Sequence, residues 1–142
     1  MDLRPLTPEL SVSPQIRPED LPALAAEGFR VVINNRPDAE VGPDEDGEAM
    51  RLAAEAAGME YRAIPFNPGQ ITPDMVEAQA EALALPGRKI AYCRSGNRST
   101  VLWALSRAGD EPTAELLETA ARAGYDLSGI LPLIDSIATR GR

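Results

Sequence analysis

Apolar positions along the chain follow two rhythms, and they predict strands alternating with helices. Residues 9–13 read as a short strand. Pro18-Glu19-Asp20 opens a helix over 18–27, for which Gly28 supplies the stop. Phe29 to Ile33 form a β-branched strand, and a turn-rich loop from Asn34 to Gly47 leads into a helix over 48–57 that Gly58 closes. The next strand is predicted over 60–64. After a loop over 65–70, Thr72 and Pro73 supply cap and first turn for a helix over 72–85. Residues 89–92 read as a buried strand, followed by helices over 98–108, 112–123 and 127–138. Trp103 and Leu105, on the first of these helices, read as core.

This alternation predicts an α/β fold with three layers: a mostly parallel sheet of about four strands with helices on both faces. No repeat, low-complexity tract or linker divides the sequence, so residues 1–142 are expected to form a single domain. In such sheets ligands gather beyond the carboxyl ends of the strands. Here those ends lead into three loops, residues 34–40, 65–70 and 93–98.

Composition narrows the classes of partner. A net charge of -8 is the wrong sign for a chain that must release counterions from a phosphate backbone, so nucleic acid is not an expected partner. The first residues lack a basic stretch followed by an apolar one, and no apolar run has membrane-spanning length. The expectation is a cytoplasmic protein that does not engage membranes. With one cysteine and no histidine, neither an internal disulfide nor a soft-ligand metal site is expected, and no cofactor is implied. The acidic run Asp44-Glu45-Asp46 suits a solvated loop at a helix start.

The one cysteine stands where chemistry is plausible. Cys93 ends the apolar run Lys89-Ile90-Ala91-Tyr92 and is followed by Arg94, Ser95, Gly96, Asn97, Arg98 and Ser99. A lone cysteine is ordinarily a small buried hydrophobe. Such a run of donors, however, calls for an anionic or polar partner. A strand that passes through a tight glycine-containing loop into a helix N-terminus aims several backbone N–H groups at one point, where they hold an anion and stabilise a thiolate. Cys93 is therefore the candidate nucleophile. Arg98 and Arg94 are the candidate charged partners, with Ser95, Gly96 and Asn97 forming the rest of the cradle. Ser99 is expected either to donate to the sulfur or to cap the helix, and Gly96 to supply a backbone geometry that other residues resist. Arg36 and Asp38 form a secondary pair. One reading is a surface turn; the other has Arg36 reaching the anion while Asp38 orients it or Arg98. Asn34 is expected to shape its loop through neighbouring backbone.

The segments SVSPQIRPEDL, GFRVVINNRPDAE, IPFNPGQIT and YCRSGNRS fall in order over nearly the whole chain. In these the sequence resembles the phosphatase-like domain of the beta-lactamase hydrolase-like family, also described as sulfur transferases. That family lies within the dual-specificity and tyrosine phosphatase-like superfamily, and the resemblance implies a cysteine phosphatase-like fold. Two departures from working phosphatases stand out. Cys93 and Arg98 bracket four residues, as in rhodaneses, where phosphatases have five. The loop after the Ile64-Pro65 strand offers Asn67 where those enzymes carry an acidic aspartate, and Asp74 lies in the following helix.

A narrower ring and a missing proton donor both suit a leaving group that is already a stable anion. The expected function is therefore a cysteine-dependent sulfurtransferase that carries sulfane sulfur as a Cys93 persulfide and hands it to an external thiol acceptor. Its substrate would be small and anionic, or a persulfide. Two alternatives stay open: phosphoester hydrolysis through a phosphocysteine, and a non-catalytic module that binds anions or senses sulfide or oxidants. A rhodanese-like fold is the architectural alternative, although the absence of histidine and the helical C-terminal third fit it poorly. The sequence leaves the oligomeric state open.

Overall fold

A computed structural model describes residues 1–140. The sheet has five strands: β1 (Arg4–Thr7), β2 (Leu10–Ser13), β3 (Phe29–Asn34), β4 (Glu60–Ala63) and β5 (Arg88–Tyr92), in the order β1-β2-β5-β3-β4. The four expected strands pair in parallel. The fifth, β1, folds back antiparallel on β2 through a tight hairpin. It carries Pro5, which an edge strand tolerates because one side of its backbone needs no ladder partner.

The helices are α1 (Leu21–Ala26), α2 (Gly47–Ala56), α3 (Pro73–Leu83), α4 (Asn97–Arg107), α5 (Thr113–Arg122) and α6 (Leu131–Thr139). Thr72 caps α3 as expected, accepting from the Met75 N–H at 3.2 Å, and Asp46 caps α2 by accepting from Ala49 at 2.9 Å. The first and last helices are shorter than the apolar pattern suggests. Each is preceded by a single 3-10 turn, Pro18–Asp20 and Ser128–Ile130. The reason is Pro22 and Pro132, which sit in the first turns of α1 and α6 and have no N–H to continue a helix backwards.

Alternate residues of the strands face two separate cores. Val32, Ile90 and Tyr92 pack with Leu21, Leu24, Met50 and Ala54 of α1 and α2. Leu10, Val12, Val31, Ile33 and Ala91 pack with Ala82, Leu102, Leu105, Leu116 and Ile134 of the other four helices. This is the three-layer arrangement that the sequence pattern implied. Trp103 is 2% exposed and belongs to the second core, as expected.

Strand register sets the site. Tyr92 lies level with Ser13 on one side and Asn34 on the other, and Asn34 lies level with Ala63. The parallel strands thus end together, and their following loops leave the sheet at one height. A buried amide pair ties two of those loops to α3. Asn35 Nδ2 donates to Gln79 Oε1 at 2.9 Å and to the Ile64 carbonyl at 3.0 Å, while Gln79 Nε2 returns a bond to Asn35 Oδ1.

Candidate active site

The loop after β5 bends around the cysteine sulfur. Cys93 is wholly buried, and the Gly96 N–H donates to its Sγ, with the nitrogen 3.1 Å from the sulfur. Gly96 has φ +94° and ends the loop as the N-cap of α4. An added Cβ at Gly96 would stand 2.1 Å from the Tyr125 hydroxyl, so both backbone and space require glycine here. Tyr125, from the segment between α5 and α6, donates to the Ser95 carbonyl at 2.9 Å and braces the loop from behind. Because α4 starts at Asn97, the loop amides continue directly into a helix N-terminus, whose first N–H groups have no partner within the helix.

Arg98 stands in the first turn of α4 and is partly buried. Its Nη1 donates to Glu40 Oε2 at 2.9 Å and to the Phe66 carbonyl at 2.7 Å, and its Nη2 donates to Glu40 Oε1 at 2.7 Å. It therefore joins all three loops: the cysteine loop, the β3 loop through Glu40 and the β4 loop through Phe66. Its hydrogen bonds to the Glu40 carboxylate and, more weakly, the nearby Cys93 sulfur hold the guanidinium above its ordinary pKa, against the opposing effect of burial. The Arg98 and Arg36 guanidinium groups hold the Glu40 carboxyl below the usual glutamate range.

The other expected site residues divide. Asn34 does shape its loop: its Oδ1 accepts from the Arg36 N–H at 2.9 Å, and its Nδ2 donates to the Tyr61 hydroxyl. Arg36 is part-buried, and its donors go to Glu40 Oε1, the Glu40 carbonyl and Gln15 Oε1 rather than to the cysteine loop. The proposed orienting role of Asp38 is not what the structure shows. Its Oδ1 accepts from the Gly47 N–H at 2.8 Å, serving the start of α2 and bonding neither arginine. Ser99 is also corrected. Gly96 takes the cap position, and the buried Ser99 Oγ bonds no partner among the described residues, the sulfur included. Arg94, Ser95 and Asn97 line the exposed outer side of the loop, with Ser95 Oγ accepting from the Asn97 N–H. Asn67 is exposed on the β4 loop, and its carbonyl accepts from Gln70.

Glu40, Gln15 and Tyr125 escaped the sequence reading. Glu40 follows Arg36 by four positions, which could have flagged an ion pair, but nothing local links it to Arg98. A groove of about 450 Å³ runs between α3 and α6, lined by Ile71, Val76, Leu133 and Ile137 among others, and it contains neither Cys93 nor Arg98.

Residues 2–110 match the family model described as beta-lactamase hydrolase-like protein, phosphatase-like domain. The chain belongs to that family. A beta-lactamase hydrolase-like protein of Agrobacterium fabrum is 32% identical over 121 residues, covering 83% of this chain and 28% of that protein. The chain thus spans about a quarter of the length of the curated relatives it matches. Among solved structures, a phosphatase-class protein of Neisseria meningitidis superposes with a TM-score of 0.83 at 28% identity, covering 96% of this chain and 99% of that one. TpbA of P. aeruginosa superposes with a TM-score of 0.71, covering 99% and 90%, and at 16% identity that likeness concerns the fold alone. The fold is that of the cysteine phosphatases, and the rhodanese-like architecture is set aside.

Proposed function

We propose that this domain is a Cys93-dependent hydrolase of phosphate monoesters with good leaving groups. The observation that carries the proposal is the cysteine loop itself, where a backbone N–H points at Sγ, the loop runs straight into a helix N-terminus, and Arg98 in the first turn of that helix is close enough for the sulfur to influence its guanidinium. The family and the fold of its neighbours support phosphoryl transfer as the reaction class.

In this proposal the Cys93 thiolate attacks phosphorus, the bond from phosphorus to the ester oxygen breaks, and the alcohol departs as its oxyanion. A phosphocysteine forms. Water then attacks phosphorus, the sulfur–phosphorus bond breaks, orthophosphate leaves, and the proton from water passes to solvent. Loop amides and Arg98 hold the three equatorial oxygens as charge develops on them. The β4 loop presents Asn67 where a proton donor would serve, so the leaving group must depart as an anion unaided. Aryl phosphates meet that requirement and alkyl phosphates do not.

A second reading has its own support in the four-residue spacing between Cys93 and Arg98. A ring with one fewer amide suits a terminal sulfur. The thiolate would attack the outer sulfur of a donor such as thiosulfate, sulfite would leave with the electrons of the sulfur–sulfur bond, and an external thiolate would take the sulfur from the Cys93 persulfide. The test offers p-nitrophenyl phosphate and thiosulfate with a thiol acceptor side by side to the wild type and Cys93→Ser. Phosphate release dependent on Cys93 supports the first reading; sulfite release alone replaces it with the second.

A further inference from the structure

At the end of the sheet away from the cysteine loop, β5 buries a lysine. Lys89 lies level with Leu10 of β2 and Val31 of β3, and by strand alternation it shares the face of Ala91; all three neighbours belong to one core. The residue is 5% exposed, a burial that lysine rarely reaches without a carboxylate partner. Among the described residues its ammonium donates no hydrogen bond and joins no ion pair. Neither is it sealed in, because the side-chain atoms buried without a partner are those of Tyr92 and Ser99. The ammonium opens instead into a pocket of about 210 Å³ walled by Leu10, Leu83 and Trp103. A lysine that merely reached for solvent would lay its stem along the surface and put its head in open water. Lys89 keeps its stem in the core and its charge in a walled pocket.

We propose that this pocket binds a small monocarboxylic acid, with the carboxylate on Lys89 Nζ and the apolar body against Leu10, Leu83 and the Trp103 ring. Thr7 lines the same pocket; its Oγ1 accepts from the Glu9 N–H at 3.2 Å, and its own O–H, which bonds nothing else among the described residues, supplies a second donor. Three features select the ligand class. One unpaired cation balances one negative charge, since Arg107, which also lines the pocket, is already paired with Glu111 at 2.9 Å. Glu9 and Glu111 line the pocket as well, and their carboxylates oppose a dianion such as a phosphate ester. The volume lies below the roughly 300–1,000 Å³ of sites for drug-sized ligands, which limits the body to a short branched chain or a single ring. Lys89 precedes Cys93 by four positions, about 13 Å along the strand direction at ~3.3 Å per residue. The site is therefore separate from the cysteine loop and does not rest on the reaction proposed there.

Trp103 is the one tryptophan of the chain and lines this pocket, so its fluorescence reports occupancy. Cyclohexanecarboxylate is titrated into wild type, Lys89→Met and Cys93→Ser, with cyclohexylmethanol as the uncharged control of the same shape and thermal melts to report folding. Wild type and Cys93→Ser are expected to give the same saturable change in Trp103 emission. Lys89→Met is expected to bind the acid roughly ten- to a hundredfold more weakly, the loss of one charge-assisted hydrogen bond. Wild type is expected to prefer the acid to the alcohol by a similar factor. That comparison needs no variant, so the proposal stays testable even where Lys89→Met fails to fold. No saturable response in wild type would overturn the proposal. Equal affinity for acid and alcohol would also overturn it, leaving an apolar crevice without a charged anchor. Undiminished binding by folded Lys89→Met would do the same, and binding lost in Cys93→Ser would move the acid to the cysteine loop and overturn the assignment to this pocket.

Discussion

Gly96→Ala tests how the loop is held, and its cost follows from two features of the structure. The residue has φ +94°, where an alanine is strained by about 1–2 kcal/mol. Its new Cβ would meet the Tyr125 hydroxyl at 2.1 Å and the ring carbon bearing it at 2.9 Å, so Tyr125 must withdraw and give up its bond to the Ser95 carbonyl. Losing that part-buried bond adds about 1 kcal/mol. The expected total is about 2–3 kcal/mol, which for a domain of this size lowers the melting temperature by roughly 6–12 °C. Tyr125→Phe alone removes the same hydrogen bond and should cost about 1 kcal/mol. The double variant loses that bond only once and no longer has a hydroxyl in the way, so it should be about 1 kcal/mol more stable than the sum of the single effects. Rescue is incomplete because the ring carbon remains close and the backbone is still strained. Thermal or urea unfolding of the four proteins measures the cycle. Additivity within about 0.5 kcal/mol would refute the claim that Gly96 is required by contact with Tyr125.

Other consequences are open to direct measurement. Asn35→Ala strips partners from the Ile64 carbonyl and from Gln79 in a fully buried setting, so urea unfolding should show a loss of about 2–4 kcal/mol. Glu40 has a depressed folded-state pKa, so the stability it contributes is fully present above its ordinary 4.5 and is lost as pH falls through the lower folded value. Acid unfolding of wild type should therefore be steeper below about pH 4.5 than that of Glu40→Gln, and matching slopes would contradict the ion-pair assignment. If no acid on the β4 loop assists departure, turnover should fall steeply across phosphate esters of increasing leaving-group pKa, with aryl esters ahead of alkyl esters by about 10²-fold or more. A flat series would reveal a proton donor elsewhere in the site, since Asn67 cannot serve as one.

Legibility in the sequence followed the range of the interactions. The parallel strands could be read from β-branched runs such as Val31-Val32-Ile33, and the cap of α3 from Thr72-Pro73, because each signal is local. Strand β1 was not legible, since four residues containing a proline carry no alternation strong enough to announce an edge. The cysteine loop stood out because a nucleophile, a glycine and two arginines fall within six residues. Its supports did not stand out, because they come from far along the chain. Glu40 meets Arg98 across 58 positions and Tyr125 meets Ser95 across 30. Asp38 misled for a related reason. Its spacing from Arg36 is compatible with an orienting contact, but the bond it accepts from the Gly47 N–H depends on how the intervening loop folds back. Ser99 misled because the helix starts two residues before it rather than at it, which moves its hydroxyl from the cap into the buried side of the first turn.

The account stands or falls on Cys93 forming a covalent bond to the group transferred. Rapid acid quench during turnover of an aryl phosphate, followed by intact mass and peptide mapping, reads this directly. The prediction is one phosphoryl group on the peptide containing Cys93 and none on Cys93→Ser. Turnover with no adduct on that cysteine, or turnover that persists in Cys93→Ser, would contradict it.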